Sequence, residues 1–353
     1  MKILIVNPGS TSTKIGIFED ETPIFERTLR HELHELEGYE KIGDQYDFRM
    51  QIIMQAMTDA GVAITELDAI CGMGGLVKPI AGGTYYVNDA MATDLKNGLQ
   101  GEHASNLGGL IARAIGDKIS KPAFIVDPVV VDEMDDISRI SGHPALRRRS
   151  IFHALNQKAT ARKYCKSIGK KYDEVNLVVV HMGGGISISC HSKGRAIDSN
   201  NALDGDGPFT PERSGGLPSG DLAALCFSGK YTHADIKTMI KGKGGMVGYF
   251  NTNSIIDLEA RAKTEPEVKL AIDAMALQIA KEIACQSVAV CGKVDAIILT
   301  GGIAYSDYIT SEITRRVEFI APVKCYPGED ELAALNAGAL RVLRGEEEGK
   351  IYE

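Results

Sequence analysis

The sequence of 353 residues lacks several features that define common classes of protein. Its uninterrupted apolar runs are all well short of the roughly 18 residues needed to cross a membrane. It also has no excess of positive charge, since 39 Lys and Arg residues stand against 47 Asp and Glu residues and the net charge is -8. Such a balance offers no overall basic surface to a polyanion. The sequence therefore predicts a soluble protein that binds neither a membrane nor nucleic acid.

Cysteine is sparse and shows no pattern. The seven cysteines are scattered, their number is odd, and no two form a C-x-x-C pair. This usage argues against a disulfide framework and against a zinc site. The apolar run within the opening residues 1–7 (MKILIVN) is too short for a signal sequence and leads directly into a patterned turn. We therefore expect the protein to reside in the reducing cytoplasm.

A chain of this length, with 44% hydrophobic residues, can form two domains that each bury a core. An internal repeat supports two domains, because a β-hairpin pattern occurs twice. Asn7 aligns with His181 at an offset of 181 − 7 = 174 positions, close to half the chain. The apolar arms of the hairpins are residues 3–6 and 15–18 in the first copy and residues 177–180 and 186–189 in the second. The repeat predicts a duplicated architecture.

Helix-like and strand-like segments alternate between and after the hairpins. The helix-like segments are residues 46–60, 107–119, 266–290 and 330–344, and the strand-like segments are residues 69–73, 123–126 and 294–300. This alternation is typical of an α/β fold. No low-complexity linker separates the two halves, and we predict the domain boundary near residues 147–149, just before another helix-like run.

Both hairpin turns have the composition of a phosphate-binding loop. Backbone N–H groups that converge on a phosphate require a turn without bulky side chains, and hydroxyl groups add further donors. Residues 7–14 (NPGSTSTK) and 181–187 (HMGGGIS) meet this requirement. An ordinary hairpin turn would explain one such loop equally well, but two at matching positions favour phosphate binding. Neither loop is a P-loop, and neither opens a helix as a dinucleotide-binding fingerprint does.

Five segments of the chain form a recognisable set of motifs: residues 6–14, 152–157, 181–185, 209–213 and 299–303. Together they resemble the acetokinase family. The resemblance covers essentially the whole chain in the family's motif order, and residues 82–85 (GGTY) and 213–218 (RSGGLP) favour members that act on butyrate over those that act on acetate. The resemblance implies an α/β fold of two duplicated actin-like, ribonuclease H-like domains with an active-site cleft between them.

The same resemblance implies the domain contents and the reaction. Residues 1–148 with 330–353 would form the domain on the acyl side, and residues 149–329 the domain on the nucleotide side. The expected reaction is the reversible, Mg²⁺-dependent transfer of phosphate between ATP and a short-chain fatty acid, with butyrate as the expected acid. Branched-chain acids, propionate and acetate are alternatives, and a non-catalytic actin-like module that binds nucleotide is an alternative of another class. The family also implies a homodimer or a higher homo-oligomer.

The resemblance further assigns roles to individual residues. His153 would stabilise the phosphoryl group in transfer, Arg213 would clamp a carboxylate or a planar phosphoryl group, and Asp127 would be the carboxylate linked to Mg²⁺. His181 and Asn7 complete the catalytic set. The phosphate is assigned to Ser10, Thr11, Ser12 and Lys14, the nucleotide to Gly183, Gly184, Gly185, Gly301, Gly302 and Ile303, and the acid to His103, Gly74, Gly75, Phe152 and Pro211.

Each of the chemically active side chains also has a structural explanation that the residues alone leave open. Asp127 precedes a proline at the end of an apolar strand, where a plain turn aspartate is common. His153, His181 and His103 would each serve equally as a hydrogen-bonded structural histidine. Arg213 would serve as a surface arginine in a polar loop.

The sequence departs from the family pattern at two places. Met73 occupies a position at which related kinases carry an arginine, so binding of the substrate carboxylate must be shared differently, with Lys78 as one candidate. The acidic residue that follows the Gly-Gly-Ile segment in acetate kinases is missing, because this chain has GGIAY at residues 301–305. Metal binding would then depend more on Asp127 and on water, as is common for magnesium.

Two groups of glycines carry further expectations. Gly74 and Gly75 stand where acetate kinases carry bulkier apolar residues, and smaller residues in a pocket wall make room for additional methylenes. This favours a longer acid, although each buried methylene contributes only about 0.8 kcal/mol. The glycine-rich segment 241–248 is predicted to be a flexible connection rather than a third phosphate loop.

Overall fold

The computed structural model describes residues 1–353, apart from the side chain of Leu33. Strands and helices alternate along much of the chain. The strands are β1 Lys2–Pro8, β2 Ser12–Glu19, β3 Thr22–Arg30, β4 Ala69–Met73, β5 Thr84–Tyr86, β6 Ala123–Val126, β7 Asn176–Met182, β8 Ile186–Ser192, β9 Arg195–Ser199, β10 Ala296–Gly301 and β11 Val323–Pro327. The helices are α1 Leu33–Leu36, α2 Tyr46–Asp59, α3 Asp89–Asn97, α4 Asn106–Ile119, α5 Ala154–Ser167, α6 Ser219–Cys226, α7 His233–Ile240, α8 Gly245–Phe250, α9 Ile255–Arg261, α10 Pro266–Val288, α11 Asp307–Val317 and α12 Glu331–Leu343.

Two sheets share one strand order, which confirms the duplication. The first sheet has the order β3-β2-β1-β4-β6, with β5 beyond β6, and the second has the order β9-β8-β7-β10-β11. The first two strands of each copy, β1 with β2 and β7 with β8, form an antiparallel hairpin. The first strand of each hairpin also pairs with a parallel strand, β1 with β4 and β7 with β10. Strand β7 begins and ends 174 positions after β1, the offset that the sequence predicts.

The chain divides into two compact units. Unit 1 comprises Met1–Val131 and Asp330–Glu353, and unit 2 comprises Asp132–Glu329. The chain leaves unit 1 soon after β6 and returns to it with α12. The sequence prediction put the first boundary at 148–149, whereas the structural division has it at 131–132.

Unit 1 buries the central strand β1 on both faces. Leu4 and Val6 point into a core that includes residues of α4, while Ile3 and Ile5 are buried on the opposite face. Helix α12 packs on β1, β4 and β6. Because helices cover both faces, β1 is a continuous apolar run rather than an alternating one.

Unit 2 repeats this arrangement around β7. Val178 and Val180 belong to a core with α10, whereas Leu177 and Val179 belong to a second core with α5. The strand is therefore apolar on both faces, which is why its Leu-Val-Val-Val segment is visible in the sequence.

The predicted helices and strands are confirmed. The helical patterns correspond to α2, α4, α10 and α12, and the strand-like segments correspond to β4, β6 and β10. Strands β4 and β6 have the predicted bounds of 69–73 and 123–126. Throughout the described chain, no helix combines the length and the apolar character of a membrane span.

Candidate active site

The parallel strands bring several predicted residues to one edge of each sheet. In unit 1, β1, β4 and β6 run parallel, so their carboxyl ends lie at the same edge. Asn7 and Met73 lie at two of these ends, and Asp127 directly follows the third. In unit 2, His181 is paired with Thr300 near the carboxyl ends of β7 and β10. The carboxyl edge of parallel strands is the usual position of a ligand site in α/β sheets.

The first predicted phosphate-binding loop, called the first phosphate loop below, is the turn between β1 and β2. A hydrogen bond from Gly9 N to Ser12 O of 2.7 Å closes the turn. Ser10 and Thr11 at its tip are exposed. A tight turn with exposed hydroxyl groups is suited to an anionic ligand.

Glu331, the first residue of α12, bonds to residues of this loop and was not predicted from the sequence. Its Oε2 accepts hydrogen bonds from Asn7 Nδ2 at 2.7 Å and from Lys14 Nζ at 3.1 Å. Asn7 and Lys14 are paired in register across the hairpin. One carboxylate therefore orients two side chains that were predicted to bind substrate.

Arg49, on α2, lies beneath the loop and is fully buried. Its Nη1 donates to Ser12 O at 3.1 Å and to Thr13 Oγ1 at 3.0 Å, and its Nη2 donates to Ser10 O at 3.3 Å. Among the described residues its other hydrogen-bond partner is Gln45, and no carboxylate pairs with it. Burial lowers the pKa of Arg49, although a guanidinium stays charged at neutral pH. The loop therefore rests on a buried positive charge.

Replacing Arg49 with Met is expected to destabilise unit 1. The change removes the Arg49 donor from Gln45 Oε1 and Ser10 O, and each unsatisfied buried group costs about 1–3 kcal/mol. Thr13 Oγ1 and Ser12 O each lose one of two partners, because His31 and Gly9 N still bond to them. We expect the free energy of local unfolding of β2 to fall by about 3 kcal/mol in total. Amide hydrogen exchange of the β2 residues measures this free energy. Arg27→Met is the control because its ion pair with Asp59 is exposed. Equal losses in the two variants would contradict a supporting role for Arg49.

Asp127 follows β6 and is 2% exposed. Its Oδ1 accepts a hydrogen bond of 2.7 Å from Gly83 N. Its backbone φ is 38°, a left-handed conformation that is uncommon outside glycine. A strained residue of this kind in a well-packed structure is a candidate for function. In the described residues, no group of three or more His, Cys, Asp or Glu side chains is placed to hold a metal.

The space beside Gly74 and Gly75 is filled by the protein itself. A Cβ atom at Gly74 would lie 2.5 Å from Pro128 Cβ, and one at Gly75 would lie 2.6 Å from Asn106 Cα and from a methyl of Leu95. The glycines permit this close packing. The expectation that they open room for additional methylenes is therefore wrong, and their contact with the acid stays a prediction.

Two other residues predicted on the acid side have partners within unit 1. His103 precedes α4 and lines a cavity of about 620 Å³. Its Nδ1 accepts a hydrogen bond of 3.2 Å from Ser105 N. Lys78, the candidate substitute for the missing arginine, forms an ion pair with Asp94 at 3.5 Å. Their contact with the acid stays a prediction.

The second predicted phosphate-binding loop, called the second phosphate loop below, joins β7 to β8 in unit 2. Gly183 N donates a hydrogen bond of 3.0 Å to Gly185 O. A Cβ atom at Gly185 would overlap the Arg213 guanidinium, with Cζ only 2.6 Å away, so the guanidinium lies directly against the loop backbone. A Cβ atom at Gly184 would lie 3.4 Å from the Glu212 carboxylate. Glycine at position 185 therefore allows Arg213 to reach the loop.

Arg213 is fixed by the turn that contains it. Thr210 Oγ1 accepts a hydrogen bond of 3.0 Å from Arg213 N and donates one of 2.6 Å to Gly184 O. The guanidinium itself donates to Ala202 O. Burial lowers the pKa of Arg213, which nevertheless stays charged. A fixed arginine beside a glycine loop is suited to binding a phosphoryl group.

His153 and His181 form a stacked pair beside this loop. Their ring centroids are 3.8 Å apart and the rings are inclined by 16°. Burial, and then the charge of Arg213, lowers the pKa of His153 to about 4. Burial, followed by His153 and Arg213, lowers the pKa of His181. Both rings are therefore neutral at neutral pH and form hydrogen bonds without adding charge.

The glycine-rich segment 241–248 packs against the turn that carries Arg213. A Cβ atom at Gly245 would overlap Thr210 O, and Met246 N donates a hydrogen bond of 3.1 Å to the same oxygen. The prediction of a flexible connection is wrong, because the glycines here serve close backbone packing and part of the segment forms α8. The segment supports the position of Arg213.

Gly301, the last residue of β10, packs closely against the second phosphate loop. Its φ is 87°, and a Cβ atom there would lie 2.7 Å from Met182 N. Gly302 differs, since in the described structure no other atom lies within 4 Å of its Cβ position. The Ile303 side chain belongs to the core of unit 2. Open space is thus found at Gly302 rather than at the Ile303 side chain, and nucleotide binding by Gly301, Gly302 and Ile303 stays a prediction.

Phe152 and Pro211 are both buried in unit 2. Phe152 is 1% exposed and packs edge-on against His191, with ring centroids 6.3 Å apart. Neither residue is exposed in this structure, and their contact with the acid stays a prediction.

Comparison with known proteins places these features in a family. The acetokinase family model matches residues 136–323, more than half of the chain. A curated protein named butyrate kinase 1, from Clostridium acetobutylicum, is 56% identical over an alignment of 356 positions. The alignment covers 100% of this chain and 99% of that protein. A probable butyrate kinase from Clostridium botulinum is 55% identical and is matched over 99% of both chains.

The fold is also found among solved structures. The acetate kinase of Porphyromonas gingivalis superposes with a TM-score of 0.80 and 18% identity, covering 97% of this chain and 99% of that one. A propionate kinase from Francisella tularensis superposes with a TM-score of 0.72 and 16% identity, covering 96% and 98%. The chain therefore belongs to the acetokinase family and has its duplicated, actin-like fold.

Proposed function

We propose that this protein is a butyrate kinase, which transfers the γ-phosphoryl group of ATP reversibly to the carboxylate of butyrate. The products are butyryl phosphate and ADP. The observation that carries the proposal is the 56% identity to a protein named butyrate kinase 1, which extends over 100% of this chain. Phosphoryl transfer needs charge neutralisation and in-line positioning more than covalent catalysis. Arg213, the two neutral histidines and the two loops are groups of that kind.

Unit 2 would hold the nucleotide and stabilise the phosphoryl group in transfer. In the proposed complex the amides of Gly183, Gly184 and Gly185 bind the nucleotide phosphates, and Gly302 leaves space for the nucleoside. Arg213, fixed against Gly185, neutralises charge that spreads over the phosphoryl oxygens. The neutral His153 donates a hydrogen bond to the same group.

Unit 1 would hold the transferred phosphoryl group and the acid. Ser10, Thr11, Ser12 and Lys14 offer hydroxyl, amide and ammonium donors, with Asn7 beside them. A carboxylate oxygen of the acid attacks the γ-phosphorus in line, and ADP leaves. The acid is already ionised near neutral pH, so the step needs no strong general base.

Two carboxylates of unit 1 offer oxygen atoms of the kind that bind a magnesium ion. Asp127 is a carboxylate held at the tip of β6, and Glu331 uses only Oε2 for its hydrogen bonds to Asn7 and Lys14, leaving Oε1 without one in the described structure. Magnesium prefers oxygen ligands and commonly binds through one or two carboxylates, water and substrate phosphates. Asp127 and Glu331 would hold the ion, which would neutralise phosphate charge.

The decisive experiment traps the acyl phosphate as a hydroxamate. The protein is incubated with ATP, Mg²⁺, hydroxylamine and each straight or branched acid from C2 to C5. We expect the highest rate with butyrate and a change of about fourfold for each methylene removed, the equivalent of about 0.8 kcal/mol. A highest rate with acetate, propionate or a branched acid would replace butyrate by that acid. No product with any of them would favour a nucleotide-binding module without catalysis.

We also propose that the enzyme is cytoplasmic and assembles as a homodimer or a higher homo-oligomer. The exposed apolar side chains of α10 support assembly, since Leu270, Leu277 and Val288 are 70%, 46% and 71% exposed. Their spacing of 7 and 11 positions places them on one face of the helix, and apolar side chains grouped on one exposed face are typical of a protein contact. Light scattering of the purified protein measures the mass, and a monomer at assay concentrations would contradict the assembly.

A further inference from the structure

A chain of polar side chains in unit 2 leads to His153. Tyr172 OH lies 2.5 Å from His191 Nδ1, and His191 Nε2 lies 2.9 Å from Gln157 Oε1. Gln157 Nε2 donates to Ser187 Oγ at 2.8 Å, and Ser187 Oγ lies 2.8 Å from His153 Nδ1. His191, Gln157 and Ser187 are all completely buried. Water therefore does not compete for these hydrogen bonds.

The orientation of the Gln157 amide is fixed by a backbone carbonyl. Gln157 Nε2 donates a hydrogen bond of 3.0 Å to Ser187 O, which is only an acceptor. The amide oxygen must then face His191, so His191 Nε2 carries a proton and donates it. Burial lowers the pKa of His191 well below its usual range. The ring is neutral, and its unprotonated Nδ1 accepts from Tyr172.

Only one neighbour is then left to accept a hydrogen bond from the Ser187 hydroxyl. Its oxygen already accepts from Gln157 Nε2 and from His153 N, the latter at 3.3 Å. A hydroxyl accepts about two hydrogen bonds and donates one. The remaining neighbour is His153 Nδ1, which must accept. A neutral His153 consequently carries its proton on Nε2, and in the described structure that N–H has no protein partner.

We propose that Gln157 and Ser187 are positioning residues that hold His153 in the tautomer protonated on Nε2, so that it donates a hydrogen bond to the phosphoryl group. The proposal rests on the proposed function for its use of that donor. The arrangement follows from local geometry, since His153 and Gln157 are four residues apart at the start of α5 and lie on one helix face. Ser187 lies on β8 opposite His181.

The tautomer is measured in the ligand-free protein by nitrogen-15 NMR of the histidine rings, with His153→Gln used to assign the signal. In the wild type we expect Nδ1 and Nε2 of His153 at the limiting shifts of an unprotonated and a protonated nitrogen. In Ser187→Ala we expect both to move towards the average of the two tautomers. Averaged shifts in the wild type, a proton on Nδ1, or unchanged shifts in Ser187→Ala would overturn the proposal.

Kinetics test the consequence for transfer. Ser187→Ala is expected to lower kcat about tenfold while the KM values for ATP and the acid stay within about twofold. Gln157→Met, which keeps the side-chain volume, is expected to lower kcat in the same way. Ser189→Ala is the matched control, because it removes a hydroxyl equally buried on the same strand but bonded to Ser199. Equal kcat in Ser187→Ala and Ser189→Ala would overturn the positioning role.

The two experiments also separate this proposal from the proposed function. If the wild type transferred no phosphoryl group to any acid, the proposed function would fail and with it the catalytic use of the donor. The NMR spectrum would still decide whether Ser187 and Gln157 set the tautomer of His153.

Discussion

Replacing Arg213 with Gln is expected to lower kcat by about a thousandfold. The guanidinium lies against Gly185 in the second phosphate loop and is held by the turn at Thr210. The guanidinium is therefore in position before substrate binds. Its positive charge stabilises the transition state most strongly, because negative charge then spreads over the phosphoryl oxygens. Steady-state kinetics with ATP and butyrate measure the change, and the KM for butyrate should change much less than kcat.

Arg148→Gln provides the control for this variant. Arg148 is also a partly buried arginine of unit 2 that donates to backbone carbonyls, those of Ser138 and Ser199. It lies in none of the predicted binding segments. We expect its removal to affect stability more than kcat. A loss of less than tenfold in Arg213→Gln, or an equal loss in Arg148→Gln, would remove Arg213 from the catalytic set.

Replacing Asp127 with Asn is expected to reduce turnover by at least about a hundredfold with little change in folding. An Asn side chain keeps an oxygen that accepts from Gly83 N, and asparagine tolerates the left-handed backbone at φ 38°. The change thus removes the charge and keeps the local structure. Rates measured over a range of Mg²⁺ concentrations test the role, because a lost ligand should raise the Mg²⁺ requirement. Asp127→Ala should abolish turnover.

Asp20→Asn is the matched control for this charge removal. Asp20 is also an aspartate in the left-handed conformation, with φ of 53°, but it lies at the exposed turn between β2 and β3. Its pKa is lowered chiefly by a hydrogen bond from Arg344. The substitution should leave the Mg²⁺ dependence unchanged. Near-normal turnover of Asp127→Asn at saturating Mg²⁺ would exclude Asp127 as the metal-linked carboxylate.

The sequence predicts the elements whose burial is continuous. Strands β1 and β7 are covered by helices on both faces, so their residues form unbroken apolar runs that stand out from the surrounding sequence. Strands β3 and β11 have mostly exposed or half-exposed side chains and lack such a signal. The offset between the hairpins also reveals the duplication, because both copies keep the same spacing.

Arg49 and Glu331 show why part of the site was missed. Arg49 has a local signal, since it occupies the same helix face as the buried Ile53, Ala56 and Met57 of α2. A charged residue at that position indicates a buried polar contact but not its partner. Glu331 has no local signal, because the Asn7 side chain it binds is 324 positions away in sequence.

Gly74 and Gly75 illustrate a different limit of prediction from sequence. A sequence shows that side-chain volume is missing, but the missing volume is filled either by a ligand or by the protein. Here Pro128, Asn106 and Leu95 fill it. The same ambiguity affects segment 241–248, whose glycines allow backbone contact rather than freedom of movement. Only the packing of distant elements distinguishes these cases.

The return of α12 to unit 1 has a consequence for the order in which the protein is made. Unit 2 is a continuous stretch, Asp132–Glu329, whereas unit 1 needs α12 to cover one face of β1, β4 and β6. A chain emerging from the ribosome can therefore complete unit 2 first, while one face of the earlier sheet is still uncovered. Unit 1 is translated first but is the last to complete its fold. A premature stop before Glu331 would leave the apolar face of its sheet uncovered, where it could aggregate or bind chaperones.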